Sequence, residues 1–371
     1  MTWSFQIGKL FGIPLRVHLT FLLLLLFVAL QRPGTQGLGG IPGALFVLAL
    51  FACVVIHELA HSLVARHYGI PVQHIILLPI GGVSVMEKMP DKPYQEFNVA
   101  VVGPLTSLAL GLGIAGLVFA SGGAASLLHP FAPAGMQFLP RLAWLNLLLA
   151  GFNLLPIFPT DGGRVLRAFL ALRMDYAQAT HTAAIIGQGL AIFMAFFGLF
   201  FLHDLWLVLI AVFLFMGATS EDTQVRLRRA LNQVPASRAM ISELRTLDRT
   251  TTLADAFEYA SHSYQHDFPV LEDGALAGLV TRQGLITGMQ QLGGEHTVAE
   301  IMVTNLCRVS PTDSLSNVYQ ELATGACHIA AVTEGEKLVG MVTPESVSQY
   351  LTATAFQRAP QGPPPPGSSR P

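Results

Sequence analysis

The stretch GALFVLALFACVVIHELAHSLV, residues 43–64, is mostly apolar and carries His57, Glu58 and His61 near its end. A helix of this length rises about 33 Å, enough to cross a hydrocarbon core about 30 Å thick. Residues four apart lie on one face of a helix, so His57 and His61 can hold one zinc ion, with Glu58 beside them as a candidate general base. The pattern therefore predicts a metal site on a membrane-spanning helix.

Two simpler interpretations of His57-Glu58-x-x-His61 are a chance match and histidines that only hydrogen-bond to neighbouring helices. At this composition a random match is expected on the order of once in a hundred chains of this length. Ionisable groups within a membrane are also costly unless a metal ion or water receives them. We therefore prefer metal binding.

The composition places the chain in a bilayer. Of its 371 residues, 52% are hydrophobic and only 12% are charged, with a mean hydropathy of +0.53, whereas about a quarter of the residues of an ordinary soluble domain are charged. Gln31, Arg32 and Pro33 follow the first apolar run, which we expect to be a retained span and not a cleaved signal peptide. The apolar runs predict about six transmembrane helices, at residues 15–30, 43–64, 99–120, 139–155, 182–202 and 205–216.

The basic residues predict how these spans are oriented. If both ends of the chain are cytoplasmic, most of the basic residues near the spans face the inside, as the positive-inside rule requires. We therefore expect a multi-pass protein of the cell membrane whose N- and C-termini are cytoplasmic. The inside residues would be Lys9, Arg66, Lys88, Lys92, Arg164, Arg167, Arg173, Arg226, Arg228 and Arg229, and the outside residues Arg32 and Arg141.

Residues 71–90, between the second and third spans, lack helical periodicity. Two short runs rich in Val, Ile and Leu lie on either side of Gly81-Gly82. This composition predicts a β-hairpin, which the topology places at the cytoplasmic edge of the membrane.

A second group of polar residues within an apolar span lies in FNLLPIFPTDGGR, residues 152–164. Two prolines and two glycines break the fourth span there, so that backbone groups and the carboxylate of Asp161 can face a cavity instead of lipid. A zinc site of this type needs a third protein ligand, and Asp161 is the best candidate. The alternative is that Asp161 only caps a helix that begins near Gly162. With His57 and His61 in the same chain, we favour the ligand.

The chain after the sixth span contains an internal repeat. Six residues recur at an offset of about 62 residues, and each copy has the composition of a small α/β module. We expect a transmembrane domain at 1–218, a linker at 219–234, two modules at 235–294 and 295–356, and a disordered proline-rich tail at 357–371. The recurring residues are Met240, Leu253, Val270, Gly278, Val280 and Thr281, matched by Met302, Leu315, Val332, Gly340, Val342 and Thr343.

Charge and cysteine content exclude two other classes of site. The formal net charge is -2, with no lysine- or arginine-rich block, so a nucleic-acid partner is not expected. Cys53, Cys307 and Cys327 are far apart and odd in number, so we expect neither a disulfide framework nor a Cys-x-x-Cys metal site.

The stretches at residues 43–64 and 152–164 together resemble the motifs of the site-2 protease family of intramembrane metalloproteases. The resemblance covers residues 2–216, and Gly81-Gly82 and Gly103-Pro104 also match the family. The matching motifs are His57-Glu58-x-x-His61, Asn153-x-x-Pro156 and Pro159-x-Asp161-Gly162.

This resemblance implies a zinc site and a set of catalytic residues. His57, His61 and Asp161 would bind one Zn²⁺ per chain, Glu58 would activate the water, and Asn153 would help to hold the substrate carbonyl or strand. The expected fold is a polytopic α-helical membrane protein followed by a soluble α/β module.

The repeat resembles a tandem pair of cystathionine-β-synthase (CBS) modules, which one bacterial and archaeal branch of the family carries. In such modules an acidic residue three positions after the module's Thr holds the ribose of an adenine nucleotide. Gly284 and Ser346 stand at these positions, so we predict weak or absent adenine-nucleotide binding. Regulation would then act through homodimer contacts between the modules or through a different ligand.

The function that we expect is hydrolysis of peptide bonds in or near transmembrane segments, with membrane-protein substrates and the lipid bilayer as partners. A rival from another class is a membrane transporter or channel gated by the CBS pair, whose ion path would contain the ionisable residues. A second rival is an inactive scaffold of protease ancestry, against which the intact Glu58 argues.

Overall fold

The computed structural model describes residues 3–31, 39–86, 92–129, 137–304, 306–323, 325, 327 and 329–358. The chain divides into two compact units, Met1–Val225 and Arg226–Pro371, which are described one at a time. Residues 359–371 of the predicted tail, and Arg32 and Lys88 of the predicted topology, lie outside the described residues.

Apolar helices make up most of the N-terminal unit, and each of the six predicted spans contains one. Among the described helices, four are long and apolar enough to cross a membrane, whereas α1 and α5 have only 12 and 16 residues. The helices are α1 Leu19–Leu30, α2 Gly40–His67, α3 Pro93–Ala120, α4 Ala124–Leu128, α5 Phe138–Asn153, α6 Asp161–Leu170, α7 Tyr176–Phe197, which a π-helical turn extends to Leu202, and α8 Leu205–Asn232. The predicted linker at 219–234 is thus helical as far as Asn232.

The first predicted span begins as a strand, not as a helix. β1 Ser4–Leu10 and β2 Ile13–His18 form an antiparallel hairpin, and α1 begins only at Leu19. Ile13 and Val17 are buried on one side of β2, which fits the period of two in a strand. The helix predicted from residue 15 was therefore wrong for residues 15–18, where Leu15 and Val17 alternate with Arg16 and His18 directly before the apolar run of α1.

β3 Val72–Leu78 and β4 Gly81–Met86 confirm the predicted hairpin. β3 pairs in parallel with β2, which gives a four-stranded sheet of order β1-β2-β3-β4. Val17 and Leu77 of the sheet pack with Phe51 and Val55 of α2. The sheet is thereby fixed against the helix that carries His57 and His61. Among the described residues, β4 has no strand partner on its outer side.

The C-terminal unit is built from two copies of one α/β motif, as the repeat predicts. The first copy contains β5 Leu247–Asp248, α9 Leu253–Ser261, β6 Asp267–Glu272, β7 Ala275–Thr281 and α10 Arg282–Gln291, and the second contains β8 Cys307–Val309, α11 Leu315–Ala323, β9 Ala330–Glu334, β10 Lys337–Val342 and α12 Pro344–Arg358. One six-stranded sheet of order β5-β6-β7-β10-β9-β8 joins the copies. Each copy has its own apolar core.

Cys307 and Cys327 form a disulfide. The expectation that distant cysteines exclude such a bond was wrong, because the second module brings them together. Cys307 begins β8, and Cys327 lies just before β9, its parallel neighbour. Cys53 is a free, buried cysteine that packs with Phe46 and Leu142 as a small apolar side chain.

Candidate metal centre

α2 places His57 and His61 one turn apart on a buried face, where the two residues are 4% and 5% exposed. His61 Nδ1 donates a hydrogen bond to the Val99 carbonyl oxygen at 2.6 Å. Because a carbonyl oxygen can only accept, this bond leaves His61 Nε2 with a free lone pair. His57 Nδ1 lies 2.9 Å from Ser107 Oγ. Both partners belong to α3, which therefore orients the two imidazole rings.

Asp161 is the first residue of α6, and its carboxylate faces the two histidines. Asp161 Oδ2 lies 3.3 Å from His57 Nε2 and 3.2 Å from His61 Nε2, and the two Nε2 atoms are 3.1 Å apart. The N-cap position of α6 is occupied by Thr160, whose hydroxyl donates to the carbonyl oxygens of Leu155 and Ile157.

The glycines after Asp161 allow α6 to start this close to the preceding turn. A Cβ at Gly162 would overlap the backbone of Leu154 and Leu155, and one at Gly163 would lie 2.7 Å from the nitrogen of Phe158. A larger residue at either position would push α6 away from that turn. The Asp-Gly-Gly sequence therefore fixes where the Asp161 carboxylate lies.

The three ligand atoms fit a zinc ion. A tetrahedron with zinc–ligand bonds of about 2.0–2.2 Å has edges of about 3.3–3.6 Å. The three observed separations, 3.1, 3.2 and 3.3 Å, are at or just below the lower end of that range. Two imidazoles and one carboxylate are also a donor set that zinc prefers at catalytic sites, where a fourth position stays open.

Gly103 of α3 makes room for this arrangement. A Cβ at position 103 would overlap His61 Nε2 and would lie 2.8 Å from His57 Nε2. Only a residue without a side chain lets α3 pass so close to the ring nitrogens. The sequence singled out Gly103 only through the family resemblance, and its position against the histidines supplies the physical reason.

Glu58 is held by the edge strand of the sheet. Ser84 Oγ, on β4, donates to Glu58 Oε2 at 2.6 Å. Gly82 brings β4 this close, because a Cβ there would lie 2.7 Å from Glu58 Cγ. The proposed general base and the strand therefore share a direct hydrogen bond.

A cavity of about 810 Å³ opens beside these residues. His57, Glu58, His61 and Asp161 line it together with β4, and most of the remaining lining is apolar. Asn153, the last residue of α5, also lines the cavity, while its Nδ2 donates to the Leu149 carbonyl at 3.0 Å within its own helix. All five predicted site residues thus meet at one cavity.

The sequence carries no signal for the partners that orient these residues: Val99, Ser107 and Ser84. Two of them contribute small side chains and the third a backbone carbonyl, so none carries a recognisable motif. Their roles depend on the register of α3 and β4 against α2. Only the packed structure supplies that register.

Gly284 and Ser346, which stand where such modules usually carry the nucleotide-binding acidic residues, lie in the first turns of α10 and α12. Thr281 caps α10 by accepting from the Gly284 nitrogen at 2.9 Å. Thr343 and Ser346 form reciprocal side-chain-to-backbone bonds of 3.1 Å. The Ser346 hydroxyl is therefore hydrogen-bonded within the module, and Ser346 as a whole is only 6% exposed.

Comparison with known proteins identifies relatives of both units. The model of peptidase family M50 matches residues 45–135 and 130–197, and the CBS-domain model matches residues 236–290 and 298–353. The zinc metalloprotease MJ0392 of Methanocaldococcus jannaschii is 31% identical over 357 residues, which cover 95% of this chain and 97% of the relative.

Two further proteins are similar. Rip3 of Mycobacterium tuberculosis is 30% identical over 371 residues, covering 94% of this chain and 93% of Rip3. The solved structure of the site-2 protease from Methanocaldococcus jannaschii is 37% identical and covers 59% of this chain and 95% of that protein, with a TM-score of 0.43.

Proposed function

Because this chain belongs to peptidase family M50, the site-2 proteases, and is a zinc metalloprotease, we propose that it cleaves membrane proteins in or near their transmembrane segments at the cavity beside His57. The observation that carries this proposal is the geometry of His57, His61 and Asp161, whose ligand atoms lie 3.1–3.3 Å from one another. We assign these three residues to one zinc ion per chain.

When bound, zinc supplies a Lewis acid that polarises the scissile carbonyl and lowers the pKa of water towards about 7. Glu58 accepts the proton of the attacking water and later delivers it to the leaving amine. Ser84 holds the Glu58 carboxylate through its hydrogen bond of 2.6 Å. Val99 and Ser107 keep both imidazoles turned towards the cavity.

β4 offers a docking edge for an unwound substrate segment. Its outer side has no strand partner among the described residues, and Gly81 to Ser84 line the cavity. A peptide that adds as a strand satisfies its backbone groups, which lipid cannot do. The apolar lining supplied by Leu145, Leu148 and Phe152 suits the side chains of a membrane segment. Asn153 lies at the cavity to hold the substrate carbonyl or strand.

The two rival functions are weaker. A transporter or channel gated by CBS modules is not favoured, because the relatives are proteases and the ionisable residues cluster as a ligand set instead of lining a path. An inactive scaffold would have no use for a glutamate held beside the three ligands.

The orientation that we propose is multi-pass in the cell membrane, with the CBS modules in the cytoplasm. In intact cells, after removal of the native cysteines, cysteines replacing Gln73 and Ser261 should be shielded from an impermeant thiol reagent, and one replacing Ala125 should react. Labelling at Gln73 and Ser261 with protection at Ala125 would invert the topology. The modules regulate access to the site, through homodimer contacts or a ligand other than an adenine nucleotide.

The test of the activity uses the purified protein in liposomes with a transmembrane substrate. Glu58→Gln should keep one zinc per chain and lose at least about a hundredfold in turnover, because the amide cannot accept the proton. A Glu58→Gln protein that cleaves at the parental rate would remove Glu58 from the mechanism. A parent that holds zinc and cleaves no membrane protein among those of its own cell would refute the proposed function.

A further inference from the structure

Arg167 is the largest fully buried side chain of the described residues, and the mechanism above does not use it. It lies in the last turn of α6 with 0% exposure. Its Nε and Nη2 donate to Glu96 Oε1 on α3 at 2.8 and 2.5 Å, and its Nη1 donates to Glu221 Oε1 on α8 at 2.6 Å. One guanidinium therefore joins three helices through charged hydrogen bonds.

The same guanidinium also lies against two aromatic rings. It is 4.9 Å from the ring centroid of Phe158 and 5.0 Å from that of Tyr176. Phe158 belongs to the turn that precedes Asp161, and Tyr176 begins α7. Arg167 thus holds the turn before α6, the end of α6 and the start of α7 in one packed cluster.

Asp161 stands at the other end of the same short helix. Arg167 stands six positions after Asp161 in the helix, a rise of about 9 Å. The first turn of α6 packs backbone against backbone through Gly162 and Gly163, so the helix is clamped at both ends. Because the packed first turn acts as a pivot, a shift of the Arg167 end would tilt α6 and turn the Asp161 carboxylate relative to the two histidines.

α8 is the element through which such a shift can come. Glu221 lies within α8, which continues as one helix to Asn232. Leu231, further along α8, belongs to the apolar core of the second CBS copy, and Leu227 packs against that core. One helix thus carries both the partner of Arg167 and residues of the regulatory unit.

We propose that Arg167 is a positioning residue that couples α8 to the metal site, because its bonds to Glu96 and Glu221 set the tilt of α6 and so the position of Asp161. The proposal rests on the proposed function, since it names a residue that positions the proposed third zinc ligand of the protease site.

The test compares two neighbouring acids on α8 in the full-length protein. Glu221→Gln removes the charge that faces Arg167 and leaves the pair with Glu96 in place. Asp222→Asn makes the same chemical change one residue later, where the partner is His181 on α7. Both proteins are loaded with cobalt(II) in place of zinc, because its visible absorption reports the geometry of its ligands.

Glu221→Gln should change the cobalt spectrum, weaken zinc binding by about tenfold and lower kcat about tenfold with little change in KM. Asp222→Asn should match the parent in all of these. A folded Glu221→Gln protein with the parental spectrum, zinc affinity and kcat would overturn the proposal. So would a Glu221→Gln protein that fails to fold while Asp222→Asn folds, because the cluster would then serve only stability. A parent that binds cobalt but cleaves no membrane substrate would refute the proposed function, and the spectra would still decide the coupling.

Discussion

Ser84 Oγ donates a 2.6 Å hydrogen bond to Glu58 Oε2, so the edge strand of the sheet is bonded directly to the proposed general base. A substrate that docks on β4 therefore touches the strand that positions Glu58. Under the proposed mechanism, one hydroxyl group links substrate binding to proton transfer.

Ser84→Ala should lower kcat by about tenfold, because Glu58 loses a hydrogen bond worth about 1.5 kcal/mol and gains freedom to leave the productive position. Zinc content should stay parental, since Ser84 is not one of the three proposed ligands. Ser84→Thr keeps the hydroxyl and is the matched control. Steady-state cleavage of a reconstituted substrate measures both variants, and an unchanged kcat in Ser84→Ala would show that the bond does not matter for turnover.

Asp161→Ala should reduce the zinc content of the purified protein well below one per chain, because two histidines alone bind the ion weakly. Thr160→Ala, which removes the hydroxyl that donates to the Leu155 and Ile157 carbonyl oxygens, should cost about 1 kcal/mol of stability and keep the zinc. Elemental analysis together with thermal unfolding separates the two effects. Full zinc occupancy in Asp161→Ala would return Asp161 to a structural role.

Gly103→Ala should give a folded protein with little zinc and at least about a hundredfold less activity, because the new methyl group would overlap His61 Nε2 and displace a ligand. Gly113→Ala on the same helix is the control. A Cβ at Gly113 meets no atom within 4 Å, so alanine there should be neutral or stabilising. Parental zinc and activity in Gly103→Ala would mean that α3 moves away easily.

Adenine nucleotides should bind the full-length protein weakly or not at all in calorimetric titration. Each missing charge-assisted hydrogen bond to a ribose forfeits about 1.5–3 kcal/mol, which is about tenfold or more in Kd. Installing the acids with Gly284→Asp and Ser346→Asp should tighten binding. Micromolar affinity for ATP or AMP in the parent would contradict this prediction and would favour control by the cell's energy charge.

The sequence predicted those features of the fold that depend on the local spacing of residues. The spacing of His57 and His61 places both on one helical face, and the prolines before Asp161 mark the break that lets it face a cavity. The hairpin at β3 and β4 also follows from its glycines and β-branched residues.

What sequence could not predict depends on long-range packing. Ser107 and Val99 matter only because α3 lies against α2 in one register, and Cys307 meets Cys327 only after β8 and β9 pair. Residues 15–18 were misassigned because a short alternating strand leads directly into an apolar helix, with no glycine or proline to mark the boundary. In each case the missing information is which segment lies next to which.

The open side of β4 also has a consequence for hydration. A strand edge that faces hydrocarbon leaves its N–H and C=O groups unsatisfied, at a cost of several kcal/mol for each group. Without a substrate, the edge beside Gly81, Gly82 and Ser84 must therefore be wetted. Gly81 to Ser84 and Glu58 line the same cavity, so water that satisfies this edge would also lie near the proposed general base, and a peptide docking on β4 would displace part of that water.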